Sequence, residues 1–149
     1  MNSLLLDERN FVVGASQERV WRLIGKVIFS SLPGMEQMEI LDENTFRALL
    51  RMTFLTRPVA LKLKGEMVEM EPPDSFSVML HLEGPGGLFR ADQKVSFFLA
   101  PAGEGQTRVG CKATVEKMGL GPRLLLLGEA RRFARSTFAA IEKRLQELA

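Results

Sequence analysis

Apolar and polar residues alternate strictly through the middle of the chain, and this pattern predicts β-strands. The clearest run is 46–54, "FRALLRMTF", where apolar residues recur at every second position. Similar runs cover 61–64, 76–82, 91–99 and 109–115, separated by turn sequences such as "PPD" and "PAGEGQ". We expect about five consecutive antiparallel strands joined by short turns, with one face buried and the other in water.

The N-terminal part predicts one further strand and then helix. Leu4–Val13 is β-friendly at both ends and predicts a first strand. Ser16 can cap a following helix, because its hydroxyl can accept from a free backbone N–H of the first turn. We expect two short helices here, the first ending near Gly25 and the second covering Lys26–Ser31, ahead of a Leu-Pro-Gly turn at 32–34.

The C-terminal part predicts one long helix over Arg123–Leu148. This segment has no proline and only one glycine, Gly128, and at 1.5 Å per residue it would be ~39 Å long. At 100° per residue, one face carries Leu127, Ala130, Ala134, Thr137, Phe138, Ile141, Leu145 and Leu148. The predicted fold class is therefore α+β, a curved antiparallel sheet wrapped around a long C-terminal helix in a single domain spanning 1–149.

Composition narrows the class of protein. The chain has 149 residues, of which 46% are hydrophobic and 26% charged, which is ordinary for a globular domain. The net charge is +2, and no basic run of five or more residues occurs, so nucleic acid is not an expected partner. No apolar stretch approaches the ~20 residues that a membrane helix needs, so we expect at most peripheral membrane contact.

The titratable residues offer little catalytic chemistry. His81 is the only histidine and Cys111 the only cysteine. One histidine and one cysteine cannot supply the usual metal-ligand sets, and a single cysteine cannot form an intramolecular disulfide, which favours a reducing cytoplasm. Alternation places His81 on a polar face and Cys111 on a buried one. We therefore predict no catalytic residue, no metal and no cofactor.

Four stretches resemble the START-like, helix-grip superfamily (SRPBCC domains), and within it the carbon monoxide dehydrogenase G-like family. These are "FVVGASQERVWRLI" (11–24), "SLPGMEQME" (31–39), "LKLKGEMVEMEPP" (61–73) and "GEGQTRVGCKATVEKMG" (105–119). They are similar to that family's first strand and helix, its Leu-Pro-Gly turn, its strand with a central glycine, and its last strand. The order of elements resembles that of the superfamily along nearly the whole chain.

The resemblance implies an apolar cavity between the concave face of the sheet and the long helix. Its members resemble carriers of membrane-soluble or aromatic ligands, and relatives in the G-like family are associated with maturation or membrane recruitment of a molybdenum hydroxylase and with quinone handling. The chain departs from the pattern at its end, where longer relatives carry an apolar anchor and this sequence stops at Ala149. It also carries Leu88–Arg90 where the family has a glycine-rich stretch.

These features predict a non-enzymatic protein that binds an apolar small molecule such as a quinone, a lipid or an aromatic compound. An accessory subunit of a molybdenum hydroxylase of the carbon monoxide dehydrogenase type is the alternative, and a cyclase or hydrolase is a third hypothesis. The sequence does not indicate an oligomeric state. The candidate ligand-binding residues are Trp21, Leu32, Met35, Leu50, Met52, Phe54, Leu63, Met67, Leu80, Val95, Phe97, Leu127, Ala130, Arg131, Ala134 and Phe138.

Several of these candidates also have a purely structural interpretation. The methionines among them could fill an ordinary core or adapt to a ligand. Ala130 and Ala134 indicate either close helix packing or empty space opposite the sheet. Arg131 could extend its head group into solvent or meet a polar ligand group at the cavity mouth. Trp21 could anchor the first helix or stack on a ligand, and Leu32 and Met35 are candidate gate residues.

Overall fold

The computed structural model describes residues 3–31, 34–54, 56–85, 90–118 and 123–149, with the side chains of 29–31, 54 and 123–126 excepted. Seven strands and two helices lie in these ranges. The elements are β1 (Leu4–Val13), α1 (Gln17–Ser31), β2 (Met35–Asp42), β3 (Thr45–Phe54), β4 (Arg57–Glu71), β5 (Ser75–Glu83), β6 (Arg90–Gly103), β7 (Gln106–Met118) and α2 (Arg123–Leu148).

The strands form one antiparallel sheet in the order β1-β7-β6-β5-β4-β3-β2. Each strand from β2 to β6 pairs with the next strand in sequence, and β1 pairs with β7 and forms the other edge. Six consecutive strands are present where the alternation predicted about five. The additional strand, β2, is an edge strand with mostly exposed residues, so it carries no clear alternation of buried and exposed side chains.

A single 15-residue helix, α1, takes the place of the two short helices that the sequence predicted. Ser16 caps it as expected, with its hydroxyl oxygen 3.3 Å from the backbone nitrogen of Arg19. The helix continues through Gly25, so the prediction that it ends there is wrong. Glycine costs only about 1 kcal/mol relative to alanine inside a helix, and burial of Val20, Ile24 and Val27 along one face outweighs that cost.

The long helix α2 has the predicted bounds, and its apolar face is buried at Ala130, Ala134, Phe138, Ile141 and Leu145. It packs closely against α1 and β1. Neither helix of the described residues has the length and apolarity that crossing a bilayer requires. The curved sheet and the C-terminal helix confirm the predicted fold class.

Polar side chains of α2 fix the helix to the edge of the sheet at β1. Arg131 donates to the carbonyl oxygen of Leu5 at 3.4 Å, and Gln146 donates to that of Val12 at 3.3 Å. Glu142 forms a salt bridge with Arg9 at 3.3 Å. These contacts link α2 to β1 at partly exposed positions, whereas burial of the apolar face of α2 in the main core sets the side of the sheet that the helix covers.

Candidate ligand-binding cavity

A cavity of about 240 Å³ lies between the sheet and α2. Its walls are mostly aliphatic and aromatic, and they come from both helices and from strands β2 to β7. The lining residues are Gly25, Ile28, Ile40, Asp42, Glu43, Asn44, Thr45, Phe46, Met67, Phe76, Val78, Leu80, Gln93, Val95, Phe97, Ala113, Phe133, Ala134, Thr137, Phe138 and Ile141.

The cavity lies between two separate groups of packed side chains. The main core, which includes Phe97 and Phe138, joins α1, α2 and the β1 side of the sheet. A second cluster around Leu50 and Leu63 belongs to β3, β4 and β5. Protein interiors rarely contain voids much larger than a water molecule, whose share of liquid volume is about 30 Å³. A space of this size is therefore a candidate binding site rather than a packing defect.

Aromatic rings form a continuous frame on the inner wall. Phe76 and Phe97 stack with ring centroids 4.9 Å apart, and Phe138 meets Phe97 edge to face at 6.3 Å. Behind them, Trp21 meets Phe76 edge to face at 5.6 Å. Such contacts stabilise a fixed arrangement of rings, so this wall is largely formed in advance of any binding.

The turn between β2 and β3 forms the exposed rim of the cavity. Ile40, on this rim, is 68% exposed. The Asp42 carboxylate accepts the backbone N–H of Asn44 at 2.8 Å, and the Asn44 carbonyl accepts the backbone N–H of Met67 at 2.7 Å. The Asn44 hydrogen bond is the main reason why the pKa of Asp42 lies below its usual value. The rim is consequently a defined turn that carries a carboxylate.

Two polar side chains lie on the buried part of the wall. Gln93 of β6 is 3% exposed and Thr137 of α2 is 7% exposed. The hydroxyl oxygen of Thr137 has no hydrogen-bond partner among the described residues. The cavity therefore combines a large apolar surface with a small number of polar groups, which is typical of small-molecule sites.

Six predicted site residues lie on the wall, and the other described candidates lie elsewhere. The six are Met67, Leu80, Val95, Phe97, Ala134 and Phe138. Leu50 and Leu63 are buried in the second cluster, where Met35 and Met52 pack against them. Ala130 is buried in the main core, with Trp21 and Leu127 packed against it, and Arg131 is exposed. Leu32 and the side chain of Phe54 lie outside the described residues.

Sequence reasoning did not select several residues of the wall. On the rim, Asp42–Asn44 ("DEN") predicts only a hairpin turn, and a turn sequence does not reveal what it borders. Thr137 and Ile141 were placed on the apolar helix face but not in the site. Gln93 had the clearest signal, because a polar residue at an inward position between Ala91 and Val95 breaks the apolar pattern.

The two residues considered for catalysis lie outside this cavity. The His81 side chain is 39% exposed and lies between Asp92, at 2.7 Å, and Glu66, at 3.4 Å. Cys111 is buried, and burial raises the pKa of its thiol to about 12. Among the described residues, no group of three or more His, Cys, Asp or Glu side chains could hold a metal ion.

An antiparallel sheet curved around a C-terminal helix, with an apolar cavity between them, defines the helix-grip class of proteins. By sequence, no family model matches this chain, and no curated protein matches it significantly. Solved structures share its fold, among them a START superfamily protein from Mycobacterium smegmatis. That protein is 17% identical, the match covers 96% of this chain and 98% of that one, and the TM-score is 0.61.

Two further structural neighbours are enzymes by name. The Zhui aromatase/cyclase from Streptomyces sp. R1128 is 12% identical over 98% of this chain and 95% of its own, with a TM-score of 0.68. Truncated norcoclaurine synthase from Thalictrum flavum is 14% identical over 99% of this chain and 93% of its own, with a TM-score of 0.70. These likenesses confirm the START-like fold, whereas the closer resemblance to the carbon monoxide dehydrogenase G-like family stays a prediction.

Proposed function

We propose that this protein binds one small apolar molecule, such as a quinone, a lipid or an aromatic compound, in the cavity between the sheet and α2. The observation that supports this proposal is the cavity itself, with its volume of about 240 Å³ and its apolar wall. An engineered apolar cavity of about 150 Å³ binds benzene. By that standard, this cavity suits a molecule of about two fused rings.

Burial of apolar surface would supply most of the binding free energy. A two-ring molecule that buries roughly 250 Å² would gain about 6 kcal/mol at ~25 cal/mol per Å². That gain alone would correspond to a dissociation constant of tens of micromolar, and the cost of immobilising the ligand weakens binding from that value. A long-chain lipid or a quinone with a long tail would place one end in the cavity and extend the rest past the exposed side chain of Ile40.

Binding without chemistry is better supported than catalysis. The ionisable residues among the described lining residues are Asp42 and Glu43, and both are exposed on the rim. A general acid or base has to be within hydrogen-bond reach of the reacting group, and the buried wall offers only an amide and a hydroxyl. A ligand held against Phe97 and Phe138 would therefore meet no strong acid or base.

Use as an enzyme, for example a cyclase or hydrolase, is the second candidate. The observation that favours it is that an aromatase/cyclase and norcoclaurine synthase have the same fold. A structure of norcoclaurine synthase holds dopamine and hydroxybenzaldehyde, so this fold accommodates aromatic molecules in that protein. Turnover of bound aromatic probes by wild-type protein, detected by mass spectrometry and lost in a Gln93→Leu variant, would support this candidate over the first.

A role as an accessory subunit of a molybdenum hydroxylase rests on the sequence resemblance to the G-like family alone, as does a role in membrane recruitment. A cytoplasmic location likewise stays a prediction. Co-purification with a molybdenum hydroxylase from the native cell would support the accessory role. If tagged protein retains no such enzyme under mild conditions, that result would contradict the accessory role.

The binding proposal is tested by native mass spectrometry and by fluorescence titration with two-ring probes such as naphthalene. Trp21, the only tryptophan, touches the cavity wall through Phe76 and serves as the reporter. We expect an Ala134→Leu variant to lose binding, because its new side chain would occupy the cavity. Absence of any bound molecule, together with no response of Trp21 to saturating probe, would contradict the proposal.

Ala130→Leu is the matched control, because Ala130 lies one helical turn before Ala134 and is buried in the same core, but it does not line the cavity. Overpacking there should cost about 1–3 kcal/mol of stability while leaving the cavity open. Loss of binding in Ala134→Leu with retention in Ala130→Leu would assign the probe to this cavity. Equal loss in both variants, with both still folded by circular dichroism, would assign it elsewhere.

A further inference from the structure

The ring of Phe133 lies between the cavity and a second space, which is a groove on the surface of the protein. The groove has a volume of about 240 Å³, the same as the cavity. Its lining includes residues 51–53 of β3 and Glu129, Arg132 and Ser136 of α2. Among the described residues, Phe133 is the one that lines both spaces, so its ring forms the wall between them.

The position of Phe133 on α2 explains why it borders both spaces. Side chains three or four positions apart in a helix are neighbours on its surface. Glu129 and Ser136, four positions before Phe133 and three after it, line the groove. Ala134 and Thr137, one and four positions after it, line the cavity. Phe133 therefore lies where the apolar face of α2 meets its polar face.

The two spaces that Phe133 separates differ in chemistry. The charged side chains along the groove are paired within the protein, since Arg132 donates to Glu129 at 3.1 Å and Arg51 donates to Glu36 at 2.6 Å. The cavity wall, in contrast, is mostly aliphatic and aromatic. Apolar surface gains free energy only when it is removed from water. An apolar ring at this boundary therefore keeps the water of the groove away from a ligand in the cavity.

Packing against the sheet holds the Phe133 ring in this position. The ring is partly buried and packs against the second cluster, whose buried members are Phe46, Leu50, Leu61, Leu63 and Leu82. Within the part of α2 that the structure describes, Phe133 is the one residue that packs against this cluster. Moving the ring aside would break these contacts, so the ring acts as a fixed wall of the cavity.

We propose that Phe133 is the residue that limits the length of the ligand that the cavity can bury. Replacement of its ring by a small side chain would join the cavity to the groove and roughly double the continuous space. This inference rests on the proposed function and specifies the ligand class, which is a compact apolar molecule of about two rings. A longer rigid molecule would gain little from its additional ring, because that ring would stay in water.

The test compares naphthalene with 2-phenylnaphthalene, a rigid probe that adds one ring to the same two-ring body. Native mass spectrometry and titration against the Trp21 fluorescence measure the two affinities. For wild-type protein we expect affinities that agree within about threefold, since the third ring buries little further surface. In Phe133→Ala, 2-phenylnaphthalene should bind about tenfold more tightly than naphthalene, because the joined space buries the third ring.

Leu80→Ala is the matched control, because Leu80 lines the cavity but not the groove. It enlarges the cavity without joining the two spaces and should keep the wild-type ratio of affinities. Ser136 is exposed and lines the groove, so Ser136→Trp added to Phe133→Ala should fill the groove and cancel the gain. Phe133→Val keeps more of the packing; it should show a smaller gain and serves if Phe133→Ala does not fold.

The outcomes separate this inference from the function on which it rests. If wild-type protein already binds 2-phenylnaphthalene tenfold more tightly, or if folded Phe133→Ala keeps the wild-type ratio, the inference is wrong and the binding function stands. A gain that persists in the variant with Ser136→Trp would place the third ring outside the groove and would also overturn the inference. Binding of neither probe by any of these proteins would overturn both.

Discussion

The aromatic ring of Phe46 lies directly over Gly65, its partner in register across the β3–β4 pair. The ring fills the space that a side-chain carbon on Gly65 would need. An isolated glycine in a strand indicates a bulge or the close approach of another group, and here it is close approach. Because Phe46 also lines the cavity, Gly65 determines the shape of the wall near the rim.

Gly65→Ala should therefore destabilise the protein by about 1–3 kcal/mol, since the Phe46 ring has to move out of a well-packed position. Urea unfolding monitored by circular dichroism measures the change. Gly128→Ala is the control, because nothing lies near the position of its new carbon in α2; it should stabilise the helix by about 0.5–1 kcal/mol. If Gly65→Ala leaves the free energy of unfolding unchanged, the Phe46 ring moves aside without cost and the prediction is wrong.

Two buried threonines should respond to the same substitution with opposite sign. Thr107 donates to the carbonyl oxygen of Ala15 at 2.8 Å, so Thr107→Val leaves that carbonyl unpaired and should cost about 1–3 kcal/mol. Thr137→Val removes a hydroxyl that has no partner in the described structure and should stabilise the ligand-free protein by about 1 kcal/mol. Thermal unfolding of ligand-free samples measures both; a destabilised Thr137→Val would indicate that the hydroxyl is already satisfied.

Cys111 should make stability depend on pH in the alkaline range. Burial raises the pKa of its thiol from about 9.0 to about 12, with Arg9 partly opposing the shift. As the pH rises, the thiol therefore ionises in the unfolded chain before it ionises in the folded protein. This ionisation favours unfolding, so the thiol lowers the free energy of unfolding progressively between about pH 9 and pH 12. Between pH 7 and pH 10, the free energy of unfolding of wild-type protein should fall by about 1.4 kcal/mol more than that of Cys111→Ala. Parallel pH curves for the two proteins would contradict the raised pKa.

Arg131→Met should leave probe binding unchanged within about twofold and lower stability by at most about 1 kcal/mol, the typical contribution of one exposed hydrogen bond. The reason is that Arg131 lies outside the cavity lining and contacts Leu5 of β1. Fluorescence titration and urea unfolding measure the two effects. A tenfold loss of affinity would instead place the entrance of the cavity at the β1 side of α2.

The architecture could be predicted from the sequence because its elements have a clear period. Buried and exposed residues alternate in β4 and β7, and α2 carries an apolar face with few interruptions. The errors arose where the period is weak. The edge strand β2 shows little alternation, and Gly25 indicated a helix end although neighbouring buried residues carry the helix past it.

The cavity was predicted only in part, because the position of a void depends on how two layers approach each other. Periodicity shows that Ala130 and Ala134 both face inward, but not that, of these two buried residues, Ala134 lines the cavity and Ala130 does not. That difference depends on how α2 lies against the sheet and α1, which brings distant parts of the sequence together. The rim turn at Asp42–Thr45 reaches the cavity through the same long-range arrangement.

The pairing of β1 with β7, beginning at Leu4 opposite Val115, has a consequence for biosynthesis. β1 is synthesised well before its partner β7, the last of the seven strands, and α2 follows later still. The cavity therefore has no complete wall until β7 and α2 have both been synthesised, so the proposed binding requires the complete fold. Pairing across such long sequence separations also slows folding, and the early strands remain open to solvent during that interval.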